Sequence, residues 1–296
     1  MPSRFIYILP FIAALLWGFG FVPVKVLLKT LDPWWLNTYR FSICFLCYAF
    51  IALITKRLPT KQEWLWGIPI GITFVACMGF QTIGLTSTSI TNSSFLTVLY
   101  VVFTPILGFL FFRLTPYRLD WLMAAIALFG AFLLSGGKLD SISPGDFWTI
   151  GCAINAALHI LIIAKAPPHL NPHALNAIQI TIGMIICGLI SSISNENQPI
   201  LISMESFSAL MILAIFMSLI GFTLQFISLK YIAPGPAAII FLLESPSAAI
   251  FAILLLGDRL SPLQLMGATT IFVASITAIY FHTRKTFVLD TSKGAS

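Results

Sequence analysis

Three ionisable residues stand inside long apolar stretches of this 296-residue chain: Glu244 in IIFLLESPSAAIF, Lys25 in FGFVPVKVLL and Arg40 in LNTYRFSICF. A charge at bilayer depth costs about 2.5–3.5 kcal/mol even on permissive insertion scales, so such residues normally face a cavity or a partner. A carboxyl at Glu244 could exchange protons, or when ionised hold the cationic amine of a substrate. Lys25 and Arg40 would favour a carboxylate, and with Glu244 would suit a zwitterion such as an amino acid. The structural alternative pairs Glu244 with one of the two cations, or lets them snorkel to the interface or cap helix carbonyls.

Weaker polar signals surround these three. Asn155 and His159 are four residues apart and share a helix face, either to bond a neighbouring helix or to sense protons. Gln81, Tyr100 and Gln225 are similar cases, and Trp17 and Tyr39 are candidate aromatic walls. Pro246, two residues after Glu244, frees a helix carbonyl one turn earlier, and Pro105 is its expected counterpart in the first half of the chain. Broken helices are where transporters build binding sites. Cys44, Cys47, Cys77, Cys152 and Cys187 all fall in apolar segments and read as small hydrophobes.

No catalytic constellation accompanies these residues. The chain has no GxSxG, HExxH or GxxxxGK[ST] sequence, and His159, His169, His173 and His282 lie in separate contexts. An enzyme, an ATP-driven pump, a metal site and a resident cofactor are therefore not expected. A gradient or an exchange must drive any movement of solute.

The elements that must position these residues are membrane helices. The chain is 58% hydrophobic and only 9% charged, against about 25% charged in a soluble domain. A crossing takes about 20 residues in a helix, and ten apolar stretches of that kind are legible: 5–28, 34–55, 64–86, 91–112, 118–136, 147–165, 173–194, 206–230, 235–256 and 263–283. Short polar turns separate them, and the first reads as a retained helix because no small-residue cleavage site follows it. Ten crossings put both termini on one side. With that side cytoplasmic, Arg4, Lys56, Arg57, Lys61, Arg113, Arg118, Lys165, Lys230, Arg284, Lys285 and Lys293 lie inside, and only Lys29, Lys138 and Arg259 outside. The net charge of +6 is thus a topology signal and gives no reason to invoke nucleic acid. An inner membrane is expected.

The chain also repeats itself. LDPWWLNTYRF at 31–41 returns 139 positions later as LNPHALNAIQI, and GFQTIGLTSTSI at 79–90 meets GFTLQFISLKYI at 221–232. Each half, 5–136 and 147–283, then holds five helices. Because five is odd, the second copy enters from the opposite side, which relates the halves by a pseudo-two-fold axis in the membrane plane. The expected fold is all-α, with ten transmembrane helices as two inverted five-helix repeats, an architecture suited to alternating access. A channel or a structural membrane protein needs neither the duplication nor the embedded carboxyl.

Here the residues resemble a known family. WGFGFVPVK at 17–25, Arg40, SFLTVLYVVFTP at 94–105 and LLESPSAAIFAILLLGDRLSPLQLMGA at 242–268, whose acid is Asp258, look like the EamA family of the drug/metabolite transporter superfamily. One departure is Ser245-Pro246 after the Glu, where many relatives carry Pro or Ser followed by an aliphatic residue. The resemblance implies two EamA repeats and secondary transport of amino acids, amines or related metabolites, often outward. Import of a nutrient such as S-adenosylmethionine or choline is the alternative. The partners expected are the small-molecule substrate, the lipid bilayer and protons as a coupling ion, while glycine-rich faces leave both a monomer and a homodimer open.

Overall fold

The segment that returns in the second half is a helix start. Asp32 caps the helix opened by Pro33, its Oδ1 accepting from the Trp34 N–H at 2.8 Å, and Asn171 caps the helix opened by Pro172, its Oδ1 accepting from the His173 N–H at 2.8 Å. In both, a short polar side chain satisfies an orphan N–H and a proline supplies the first helical φ.

The structure, a computed structural model, describes residues 4–116, 118–137, 143–194, 203–257 and 259–293. Asp258, the acid of the family pattern, lies outside the described residues. The helices are α1 (Ile8–Leu27), α2 (Pro33–Thr55), α3 (Lys61–Ser87), α4 (Ile90–Thr97), α5 (Tyr100–Phe112), α6 (Arg118–Leu134), α7 (Pro144–Lys165), α8 (Pro172–Ile193), α9 (Met204–Ile212), a π-helical Leu213–Gly221, α10 (Phe222–Leu229), α11 (Pro234–Phe241), α12 (Glu244–Leu256) and α13 (Pro262–Lys293). Among the described residues they make ten spans. α4 with α5 forms the fourth; α9, the π segment and α10 form the eighth; α11 with α12 forms the ninth. Nine of them are apolar helical stretches 20 to 27 residues long. α6, the fifth, has 17, at the short end of the range of about 17–25 that crosses hydrocarbon. The fold is the expected pair of inverted five-helix repeats. Exposed Phe50, Leu53, Leu65, Phe109, Leu189 and Leu265 give the bundle the apolar outer surface that lipid requires.

The fourth and ninth spans are each interrupted by two residues, Val98-Leu99 and Leu242-Leu243. All four keep right-handed helical dihedrals, but hydrogen bonding tightens to i→i−3: Val101 N–H donates to the Val98 carbonyl at 3.0 Å and Ser245 N–H to the Leu242 carbonyl at 3.1 Å. Pro246 explains the second break, because its missing N–H would have served Leu242. Pro105 does not explain the first. It lies inside the continuous α5, five residues past Tyr100, so its expected role as a helix break is corrected. The breaks touch, with Ser245 Oγ donating to the Ser94 carbonyl at 3.1 Å.

The repeats interlock rather than lie side by side. α3 packs mainly along α7 and α8, which belong to the second half, and the eighth span packs mainly along α1 and α2. Both ends of α3 are fastened across the repeats. At one end Glu63 Oε1 accepts from Arg57 Nη2 at 2.9 Å and from the Asn171 N–H at 3.1 Å, while its Oε2 accepts from the Thr60 N–H at 2.8 Å. At the other, Asp146 Oδ1 accepts from Thr88 Oγ1 at 2.9 Å and Asn92 Nδ2 at 2.7 Å. α6 and α13 stand apart from the centre and press together where Gly130 faces Gly267, a contact too close for a side chain at either position.

Candidate functional site

A cavity of about 730 Å³, its mouth included, opens between the two interlocked groups of helices. Its wall follows the repeat. On α1 it takes Trp17, Gly20 and Phe21, and on α7, 139 positions on, Ala156, His159 and Ile160. At the breaks it takes Thr97 and Tyr100 from the fourth span and Phe241 and Glu244 from the ninth, 144 positions on. Tyr100 and Glu244 are thus repeat counterparts, each the first residue of the half-helix that follows a break. That pairing was hidden in the sequence because the offset between halves drifts from 139 to 146 and the residue types differ.

Seven of the sequence-predicted residues meet here: Glu244, Arg40, Trp17, Gln81, Tyr100, His159 and Gln225. Four have buried polar atoms with no protein partner, namely Trp17 Nε1, Tyr100 OH, Gln225 Oε1 and Glu244 Oε1. A buried polar atom without a hydrogen bond costs roughly 1–3 kcal/mol. With Thr97 Oγ1 that makes five in one cavity, the mark of a place built for something else to bind. Tyr100 and Gln225 are each 3% exposed and Glu244 5%, so bulk water does not serve them.

Arg40 is 4% exposed, and its Nε donates to Ser218 Oγ at 2.6 Å. Among the described residues no salt bridge reaches either Arg40 or Glu244. The cavity therefore holds one cation and one carboxyl, neither neutralised by the protein. Ser218 belongs to the π-helical segment, whose off-axis carbonyls take further side chains: Ala214 O accepts from Cys44 Sγ at 3.0 Å, and Ser218 O and Leu219 O accept from Asn176 Nδ2 at 3.2 and 3.1 Å. Trp17 Nε1 also abuts this segment, lying where a side chain on Gly221 would be. Arg40 and the Trp17 N–H thus form a donor wall on the π segment, while Tyr100 and Glu244 place acceptors at the breaks.

His159 lines the wall and is tied to a network behind it. Its Nε2 is 2.8 Å from Gln179 Oε1, Gln179 Nε2 donates to Asn176 Oδ1 at 2.8 Å, and Asn176 Nδ2 reaches Tyr48 OH at 2.7 Å and Thr223 Oγ1 at 2.9 Å. Phe74, Phe222 and Phe226 surround the imidazole. Gln179, the counterpart of Arg40, therefore spends its amide on this network. Asn176 itself was legible only as part of the repeat, and its role shows in space: it bonds Thr223 as its counterpart Asn37 bonds Thr82, at 2.9 Å in both halves.

Three predicted residues fall elsewhere. Lys25 Nζ donates to the carbonyls of Leu85 at 2.6 Å and Thr88 at 2.8 Å, which caps the C-terminal end of α3. Tyr39 packs its ring on Trp35, and Asn155 Nδ2 donates to the Gly151 carbonyl of its own helix at 2.9 Å. None of the three lines the cavity.

Ten apolar spans in two inverted repeats around a buried cavity that holds an arginine and a carboxyl with no ion-pair partner among the described residues make this a multi-pass membrane transporter. The chain belongs to the EamA-like transporter family, which matches residues 4–136 and 143–280. A protein of Archaeoglobus fulgidus described as an uncharacterized transporter is 30% identical over 267 residues, covering 90% of this chain and 82% of its own length. A second so described from the same organism is 25% identical over 280 residues, covering 92% and 94%. In fold the chain is similar to a solved crystal structure with a TM-score of 0.71 at 15% identity, over 94% of this chain and 98% of that one.

Proposed function

We propose that this protein is a secondary carrier of small zwitterions with an apolar side chain, working by alternating access about the central cavity. The observation that carries the reading is the coexistence of Arg40 and Glu244 in one buried cavity without a protein partner for either charge. A zwitterion satisfies both, its carboxylate on the Arg40 and Trp17 wall and its amine on the Glu244 side. The aromatic rings fit the rest of such a solute. Trp17 sits 5.0 Å from Phe222 and 5.2 Å from Phe241, and Phe74 4.9 Å from Phe222, centroid to centroid.

The moving bodies in this reading are the interlocked groups and not the two halves of the sequence. α2 and α3 travel with α7 and α8, and the eighth span and α12 with α1. The excess of Lys and Arg on one set of turns supports an inner-membrane protein with both termini in the cytoplasm, which reporter fusions at each end would check.

The test is uptake into proteoliposomes of labelled neutral amino acids beside the matching amines and carboxylic acids, with and without a pH gradient. Saturable uptake of the zwitterions alone is expected. Glu244→Gln protein that folds should lose at least about tenfold in rate, since a charge-assisted bond worth roughly 1.5–3 kcal/mol disappears. Wild-type uptake by Glu244→Gln across pH 5–8 would remove the carboxyl from the mechanism.

A further inference from the structure

Oxygens outnumber nitrogens among the unpartnered polar atoms of the cavity wall. Gln225 Oε1 accepts only, as does Glu244 Oε1 when the carboxyl is ionised, and the Tyr100 hydroxyl has lone pairs to offer; all three are buried, unpartnered and line the one cavity. Their placement is not a coincidence of packing. Tyr100 and Glu244 open the half-helices after the two breaks, and the breaks are held together by the Ser245–Ser94 bond. Gln225 reaches the same cavity from α10, one turn beyond Gly221. Neither Lys25 nor any other described lysine lines this cavity, so the chain supplies no ammonium of its own.

We infer that Tyr100, Gln225 and Glu244 form a three-point seat for a primary ammonium group, and that the number of N–H donors on the substrate is what this seat reads. This rests on the transporter reading above and names the chemistry of one end of its site. An –NH₃⁺ group carries three donors on one atom, one for each oxygen. A trimethylated nitrogen keeps the charge and carries none, so it would leave all three oxygens unsatisfied. Sites built to hydrogen-bond a substrate group reject analogues that lack it, because their own buried polar atoms are then stranded. Secondary and tertiary amines should fall between. Choline, a quaternary ammonium, is excluded as a substrate on this ground.

The seat is tested by calorimetric titration of the purified full-length protein with L-leucine and with its N,N,N-trimethyl betaine, in wild type and in Tyr100→Phe and Gln225→Leu. The expected result is at least about tenfold weaker binding of the betaine to wild type, with that ratio reduced in each variant. A general loosening of the fold would weaken both ligands alike and leave the ratio unchanged, which would overturn the seat. Equal binding of leucine and its betaine to wild type would also overturn it while leaving the zwitterion reading intact. If leucine fails to bind but isoamylamine binds and its trimethylated form does not, the seat stands and the zwitterion reading falls. No binding by any of the four overturns the seat as well.

Discussion

Cys77 on α3 and Cys152 on α7 offer a direct test of which helices move together. Their sulfurs are 3.5 Å apart, both buried, with Cys77 in the cavity wall. A disulfide needs about 2.05 Å, so a closure of roughly 1.5 Å, within reach of small side-chain shifts, would bridge the first repeat to the second. If α3 and α7 belong to one body, as their packing and the Thr88–Asp146 bond indicate, the bridge ties together residues whose separation does not change during transport. Transport should then stay within about twofold of the reduced protein. If the two sequence halves rock as rigid units, the same bridge spans the moving interface and stops the cycle. The assay is uptake by protein carrying Ala at Cys44, Cys47 and Cys187, before and after diamide treatment, with maleimide mass-tagging to count bridged thiols and Cys152→Ser as control. Uptake abolished by oxidation, restored by dithiothreitol and unaffected in the control would refute the assignment of α3 to the body containing α7.

Three further outcomes follow from the same packing. A Cβ at Gly18 would fall on Ser247 Cβ and within 2.5 Å of the Glu244 carbonyl; Gly18→Ala should therefore destabilise the protein by about 1–3 kcal/mol, read as a lowered thermal midpoint, and weaken uptake by pushing α12 away. Lys25→Met removes the cap on Leu85 and Thr88 and should lower the midpoint through a loss of about 1–3 kcal/mol, with the KM for substrate unchanged; a raised KM with an unchanged midpoint would return Lys25 to the substrate site. Asn176→Ala removes bonds to Gln179, Tyr48, Thr223 and the Ser218 and Leu219 carbonyls, so it should cost more stability than Asn37→Ala, which removes those to Thr82 and the Pro33 carbonyl, in side-by-side melting curves.

Helix count and repeat were legible because both are written in local patterns: apolar length for the spans, and the cap-proline pair of LDP and LNP for matched helix starts. The site was legible in part. Glu244 and Arg40 announce themselves because a charge in hydrocarbon has few structural excuses. Lys25 carried the same signal and turned out to cap α3, since a lysine near a span end can find carbonyls that no sequence pattern shows. Asn155 and His159 share a helix face by spacing, yet the first bonds its own helix and the second a network behind the cavity. Helix periodicity says which residues point the same way, not what they meet. The tightened turn at Val98-Leu99 has no proline to mark it, and the π segment is specified by side chains of α2 and α8 distant in sequence.

The placement of the ammonium seat bears on how substrate and motion are linked. Tyr100 stands on α5, which packs along α7, whereas Glu244 stands on α12, which packs along α1, and Gln225 on α10, which also packs along α1. The three oxygens therefore come from both bodies. A ligand can shift a conformational equilibrium only by its differential affinity for the two states. A substrate with three N–H donors satisfies all three oxygens in the one relative position of the bodies that brings them together, and loses at least one bond in any other. Tyr100→Phe should accordingly lower the rate of transport more than it lowers binding affinity, and equal losses in the two, measured by counterflow and by titration on the same preparation, would break the link.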